Sequence, residues 1–377
     1  MLKTISGTLA LSLIIAASVH QAQAATTYNA VVSKSSSDGK TFKTIADAIA
    51  SAPAGSTPFV ILIKNGVYNE RLTITRNNLH LKGESRNGAV IAAATAAGTL
   101  KSDGSKWGTA GSSTITISAK DFSAQSLTIR NDFDFPANQA KSDSDSSKIK
   151  DTQAVALYVT KSGDRAYFKD VSLVGYQDTL YVSGGRSFFS DCRISGTVDF
   201  IFGDGTALFN NCDLVSRYRA DVKSGNVSGY LTAPSTNINQ KYGLVITNSR
   251  VIRESDSVPA KSYGLGRPWH PTTTFSDGRY ADPNAIGQTV FLNTSMDNHI
   301  YGWDKMSGKD KNGNTIWFNP EDSRFFEYKS YGAGATVSKD RRQLTDAQAA
   351  EYTQSKVLGD WTPTLPGGSL EHHHHHH

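Results

Sequence analysis

The apolar positions of this chain repeat over about 20 residues, well beyond the period of a helix or a strand. Phe168-Lys-Asp-Val-Ser-Leu173, Phe189-Ser-Asp-Cys-Arg-Ile194 and Phe209-Asn-Asn-Cys-Asp-Leu214 superpose, with their phenylalanines 21 and 20 residues apart. Asp170, Asp191 and Asn211 share one position of the repeat, Val171, Cys192 and Cys212 the next, and Leu173, Ile194 and Leu214 another. An earlier copy, Phe122-Ser-Ala-Gln-Ser-Leu127, starts 46 residues before Phe168, close to two periods. Ile246-Thr-Asn-Ser-Arg-Val251 and Phe291-Leu-Asn-Thr-Ser-Met296 continue the series across longer insertions. Short alternating segments separated by polar turns at this period predict a β-solenoid. A leucine-rich repeat has the same period but needs a leucine and asparagine frame that is absent. In a parallel β-helix each repeat is one coil and coils stack about 4.8 Å apart, so equivalent positions form ladders. A sandwich with accidental spacing is the competing architecture.

The ends fit a capped solenoid. Between Thr41 and Pro53, Phe42, Ile45, Ala46, Ile49 and Ala50 fall at i, i+3, i+4, i+7 and i+8. This predicts one amphipathic helix over the first coil, stopped by Pro53. Thr345-Asp-Ala-Gln348 reads as a capping box opening a second, C-terminal helix that Gly359 ends. Residues 1–24 read as a secretory signal: Lys3 is the charged start, Leu9 to Ala17 the apolar stretch, and Ala22-Gln23-Ala24 the cleavage pattern. Residues 367–377 read as a linker and histidine tag, which holds six of the ten histidines. A single β-helix domain over 25–366 remains, in a secreted protein.

Composition adds little that conflicts. Apolar content of 38% and charged content of 19% are both low, and glycine is ample at 32 residues, which suits short strands and turns. The charge of +5 is dispersed, so neither nucleic acid nor a membrane is an expected partner. Cys192 and Cys212 stand 20 residues apart at one coil position, and in an exported chain this predicts a structural disulfide. Asp143-Ser-Asp-Ser-Ser147 and Asp310-Lys-Asn-Gly313 lack the glutamate of a calcium loop. The histidines outside the tag and signal, His80, His270 and His299, sit in no motif, and no metal or cofactor is expected. A capped solenoid with one groove suits a monomer.

Candidate chemistry comes from extending the repeat. Gly175-Tyr-Gln-Asp178 aligns with Gly196-Thr-Val-Asp199, so stacking brings two carboxylates together. Two like charges this close raise one pKa, which lets identical acids take different roles. A purely structural aspartate ladder is the alternative. The flanking sequence, Thr-Leu-Tyr181 after one and Phe-Ile-Phe202 after the other, is aromatic and unlike a turn. Tyr181 and Phe202, three residues after each aspartate, form either a wall beside the pair or part of the core.

Five segments together resemble the pectin methylesterase (pectinesterase) family: Gly66-Val-Tyr-Asn-Glu70, Gln153-Ala-Val-Ala-Leu157, Gly175-Tyr-Gln-Asp-Thr-Leu180, Asp199-Phe-Ile-Phe-Gly203 and Leu265-Gly-Arg-Pro-Trp269. They occur in the family's order, and the long polar insertions are similar to the secreted enzymes of plant-pathogenic soft-rot bacteria. The resemblance implies a right-handed parallel β-helix that demethylates the C6 esters of homogalacturonan. It implies Asp199 as nucleophile and Asp178 as general acid and then base. Gln177 and Gln153 become oxyanion donors, Arg267 orients Asp199 and keeps it ionised, and Trp269 packs on the sugar. Arg219, Tyr230 and Thr272, in loops near the matched segments, are further candidate substrate contacts, Arg219 for a free galacturonate carboxylate. A polysaccharide lyase, a glycoside hydrolase and a non-catalytic pectin-binding solenoid are the competing classes.

Overall fold

Strands Ala166–Val174, Arg186–Ser190, Arg193–Gly196, Thr206–Asn210 and Asp213–Ser216 pair in parallel, and their register reproduces the repeat. Phe168 lies beside Phe189 and Phe189 beside Phe209; Leu173, Ile194 and Leu214 follow suit. The later copies hold as well, since Phe209 pairs with Ile246 and Ile246 with Phe291. The earliest copy is offset by two residues: Phe168 pairs with Ala124, a separation of 44 and not 46. Phe122 therefore packs tilted against Phe168, with ring centres 5.8 Å apart, outside the stacked column.

The computed structural model describes residues 27–35 and 38–367. The expected signal sequence at 1–24 and the tag lie outside the described residues. Among the described residues, strands form a parallel sheet of 17, a parallel sheet of 8 and two two-stranded hairpins. In the 8-stranded sheet every strand follows its neighbour in chain order, from Leu72–Ile74 to Ile300–Trp303. Successive parallel crossovers of this kind wind into a right-handed parallel β-helix, the architecture expected.

The interior is filled by the inward side chains of each coil. Phe168, Phe189 and Phe209 are fully buried and stack at 4.8 and 4.7 Å with planes 8° and 11° apart. In Leu157–Val159 and Leu180–Val182 the leucine and valine point inward, while the central Tyr158 and Tyr181 stay half-buried on the outer face. This alternation carries aromatic rings to the surface where the site forms. Chain direction changes at tight bends whose residues have positive φ: Asp170 (53°), Asp191 (55°), Asn211 (55°), Asn248 (50°) and Asn293 (50°). Aspartate and asparagine tolerate the left-handed conformation best among residues with a Cβ, which explains their recurrence at this position.

The N-terminal helix covers the first coil but is shorter than the periodicity predicts, spanning Ile45–Ala50. Thr41–Phe42 instead joins a short parallel pair with Val31–Val32. The Thr44 side chain caps Asp47 N, and the Glu70 carboxylate accepts from Ile45 N and Ala46 N at 2.9 and 3.0 Å. That is the physical role of Glu70 in the Gly66–Glu70 segment. The capping box at Thr345 and Gln348 is present, but Thr353 divides the C-terminal helix into Asp346–Ala349, a 3₁₀ turn and Gln354–Leu358. These pieces pack Val357 and Leu358 against Tyr167, Phe188 and Leu208 on the outer face of the larger sheet.

The expected disulfide is not formed: Cys192 and Cys212 are free, buried thiols. Each sulfur donates to a backbone carbonyl, Cys192 to Phe168 O and Cys212 to Phe189 O, both at 3.4 Å. The two thiols are nonetheless neighbours: burial first, and then a hydrogen bond with Cys212, push the pKa of Cys192 up, so they meet without a covalent bond between them.

The phenylalanine column generates one expectation for stability. Phe189→Ala leaves a void between two buried rings and should lower unfolding free energy by about 3–5 kcal/mol in a denaturant titration. A loss below about 1 kcal/mol would mean that the column collapses around the void.

Candidate active site

Two aspartates of the outer face are placed by the same bend. The pairing of Leu180 with Ile201 and of Tyr181 with Phe202 puts Asp178 one coil from Asp199 at equivalent positions. Both have positive φ, 64° and 53°, and Asp178 N donates to Val198 O at 3.0 Å. The bend turns each carboxylate out of the strand towards one cleft of about 390 Å³. Gly203, which follows Phe202, has φ of 121°, and a Cβ there would sit 1.9 Å from Val182 O. Only glycine lets the coil carrying Asp199 pack this closely on the coil carrying Asp178.

The two carboxyls are both 7% exposed but have unequal neighbours. Arg267 holds Asp199 in a two-pronged bond, Nε to Oδ1 at 2.8 Å and Nη2 to Oδ2 at 2.6 Å. A guanidinium fork fixes both the position and the plane of a carboxylate. Burial alone would lower the pKa of Arg267, but the Asp199 charge beside it reverses the sign and the net direction is upward. Among the described residues Asp178 has no such fork. Burial first, and then the Asp199 charge, push its pKa well above the ordinary 3.8, with Arg267 opposing only in part. One acid is thus clamped as the partner of a cation, and the other is held towards its neutral form.

Around the pair stand most of the residues expected from sequence. Gln153, Gln177, Tyr181, Phe202, Arg267 and Trp269 line the same cleft as the two aspartates. Tyr181 stacks on Phe202 at 4.4 Å and on Tyr158 at 4.2 Å, and Trp269 meets Phe202 edge-on at 5.8 Å. The aromatic wall is therefore real, and its rings also pack on one another. Gln177 accepts a hydrogen bond from the Thr152 hydroxyl at 2.6 Å, while the buried Gln153 Oε1 has no partner.

Three expected contacts fall elsewhere. Tyr230 lies behind Arg267, whose guanidinium carbon is 4.2 Å from the ring centre, so it backs the arginine and does not line the cleft. Arg219 is already paired with Asp221, at 3.1 and 2.7 Å, and donates to Ser228 O at 2.9 Å, beside a neighbouring pocket of about 150 Å³. Thr272 is exposed at the start of the hairpin Thr272–Phe275 with Gly278–Ala281. Sequence reasoning missed Thr109, Ala110, Ala233 and Met306, which complete the lining. Ala233 pairs with Phe202, so it is the next rung of the aromatic ladder, hidden because it lies 31 residues on and not 21 as from Tyr181 to Phe202. Thr109 and Ala110 sit in a short helical turn and Met306 begins a hairpin, none of them within the repeat.

Comparison with known proteins places this geometry. The family pattern described as Pectinesterase matches residues 29–360. The chain is 34% identical over 351 residues to the "Probable pectinesterase/pectinesterase inhibitor 17" of Arabidopsis thaliana, covering 89% of this chain and 58% of that protein. It is 34% identical over 337 residues to "Pectinesterase 2" of Citrus sinensis, covering 85% of this chain and 56% of that one. The chain thus spans rather more than half the length of these relatives. Among solved structures, "Pectin methylesterase from Yersinia enterocolitica" superposes with a TM-score of 0.84 at 58% identity, covering 85% of this chain and all of that one. "Pectin methylesterase from Carrot" superposes with a TM-score of 0.67 at 29% identity, covering 90% and 98%.

The asymmetry of the pair has a consequence for stability. A raised pKa means that folded Asp178 holds its proton more tightly than unfolded Asp178. Its contribution is therefore full below the ordinary carboxylate pKa and declines as pH rises from about 4 through the raised value. Asp178→Asn cannot ionise and should melt at a higher temperature than the wild type at neutral pH, the gap closing as pH falls towards about 4. Equal melting temperatures across that range would mean that burial of Asp178 carries no ionisation penalty.

Proposed function

The chain belongs to the pectinesterase family, and on that premise we propose that it is a carboxylic ester hydrolase that removes methyl groups from the C6 esters of homogalacturonan. The observation that carries this reading is the unequal pair: Asp199 in the fork of Arg267, and Asp178 without a cation of its own and with its pKa driven up. An ester hydrolase that uses one aspartate as nucleophile and a second as general acid needs these two states of one side chain.

Asp199 attacks the ester carbonyl through a carboxylate oxygen. Carboxylates are weak nucleophiles, so its fixed plane and position supply much of the rate. The carbonyl electrons move to oxygen, where the side-chain amides of Gln177 and Gln153 donate to the developing oxyanion. Loss of one such donor typically costs about 3 kcal/mol of barrier. As the tetrahedral centre collapses, the proton of Asp178 passes to the departing methoxy oxygen and methanol leaves. The product is an acyl anhydride on Asp199. Asp178, now ionised, takes a proton from an incoming water, whose oxygen opens the anhydride and restores both carboxyls. The aromatic wall of Tyr181, Phe202 and Trp269 offers apolar faces to the sugar rings.

The substrate on this reading is methylesterified pectin and the products are methanol and pectate. The protein is read as secreted, by the signal sequence read at residues 1–24, and as acting outside the cell on plant cell-wall pectin. Among the described residues no helix is long and apolar enough to cross a membrane. A lyase or a glycoside hydrolase would make different products from the same polymer. A retaining glycosidase also uses a close carboxylate pair, but its transition state is oxocarbenium-like and develops no oxyanion for two amide donors to stabilise.

The test is methanol release from highly methylated pectin in the presence of EDTA, with reducing ends and ultraviolet absorbance followed in the same sample. Methanol without new ends or absorbance is expected; chain cleavage without methanol would overturn the reading. Asp199→Asn and Asp178→Asn should each lower turnover at least about a thousandfold with the fold retained. Arg267→Ala, which frees Asp199 to rotate, should cost on the order of a hundredfold in kcat. An unchanged rate in Arg267→Ala would make that arginine structural only.

A further inference from the structure

A glutamine is useful at a developing oxyanion only if the right end of its amide faces it. The two ends are nearly equal in size, yet one donates and the other accepts. With nothing to distinguish them, the amide can turn over, and an accepting oxygen then meets the oxyanion. In this cleft one glutamine has its orientation set from outside. The hydroxyl of Thr152 donates to Gln177 Oε1 at 2.6 Å, and the same two segments are tied by Ala154 N to Gln177 O at 3.1 Å. A hydroxyl has one proton to give, and here it goes to the amide oxygen. The amide nitrogen, at the other corner of the plane, is left for the cleft. Gln153, the next residue in the chain, has no such latch, since its buried Oε1 accepts no bond.

We propose that Thr152 is a positioning residue for the ester-hydrolysis reaction: its hydroxyl holds the Gln177 amide with the oxygen turned away and the nitrogen towards the ester carbonyl. Thr152 touches no reacting atom on this account and acts only through Gln177. The inference rests on the pectinesterase reading of the cleft. It separates the two glutamines, making Gln177 the preorganised donor and Gln153 the adaptable one. Turnover therefore depends on the latch, while polymer binding, spread along the aromatic wall, does not.

The test is steady-state methanol release by Thr152→Val, Thr152→Ser and Thr152→Ala, alone and combined with Gln177→Ala. Valine keeps the shape and removes the donor; serine keeps the donor and removes a methyl. Thr152→Val is expected to lower kcat by about 10- to 100-fold, up to the loss of one oxyanion donor, with KM within about twofold. Thr152→Ala should match it, which covers the case in which valine disturbs packing, and Thr152→Ser should stay near the wild type. In the Gln177→Ala background, Thr152→Val should cost nothing further, because there is no amide left to orient. The proposal is overturned by an undiminished kcat in both Thr152→Val and Thr152→Ala, by serine as damaging as valine, or by the same fold-loss with and without Gln177. A wild type that releases no methanol would instead overturn the pectinesterase reading itself.

Discussion

Everything distinctive about this protein follows from stacking identical bends at the spacing of hydrogen-bonded strands. Parallel pairing fixes neighbouring coils about 4.8 Å apart and in register. Inside the solenoid this stacks phenylalanine on phenylalanine at 4.7–4.8 Å. At the surface it sets one aspartate a single coil from another, which is closer than two exposed carboxylates would choose. The pairing that imposes this proximity is the pairing that holds the core together, and the core offsets what the crowded carboxylates cost. Like-charge repulsion is thereby converted into a difference between the two acids.

The same backbone device serves two ends. On the larger sheet the left-handed bends at Asp170, Asp191, Asn211, Asn248 and Asn293 are occupied by residues that tolerate positive φ, and their side chains bond along the ladder, as Asn211 does to Asp191 at 2.6 Å. On the cleft face the bends at Asp178 and Asp199 have the same backbone sign. What distinguishes them is environment: nine-tenths burial, an arginine that reaches only one of the pair, and a wall of aromatic rings. An aspartate ladder becomes a pair of unequal acids when solvent is removed and a cation is given to one member alone.

Much of this was legible in the chain. The phenylalanine period gave the register of the coils from Phe168 to Phe291, because inward positions of a solenoid must repeat. The cleft acids were legible for the same reason. Where the repeat is interrupted, legibility ends. Tyr230, expected to touch substrate, and Ala233, not expected at all, both lie past an insertion, so nothing in the sequence shows that Tyr230 backs Arg267 while Ala233 lines the cleft. The Arg219–Asp221 pair and the Thr152–Gln177 bond are side-chain geometries that no period encodes. The cysteines mark a different boundary. Equal coil position correctly made them neighbours, but spacing along the chain does not reveal whether neighbouring thiols are covalently joined, and here they remain free.

The central claim is that Asp178 retains its proton beyond the ordinary carboxylate range because of burial and the neighbouring Asp199 charge. Carbon-13 NMR titration of aspartate side-chain carboxyls tests it directly, with Asp178→Asn to assign the signal. The account predicts a carboxyl that stays protonated well above pH 4 in the wild type and is missing from Asp178→Asn. If the carboxyl missing from that variant titrates in the ordinary range, or if a high-titrating signal survives the substitution, the division of roles between the two acids is wrong.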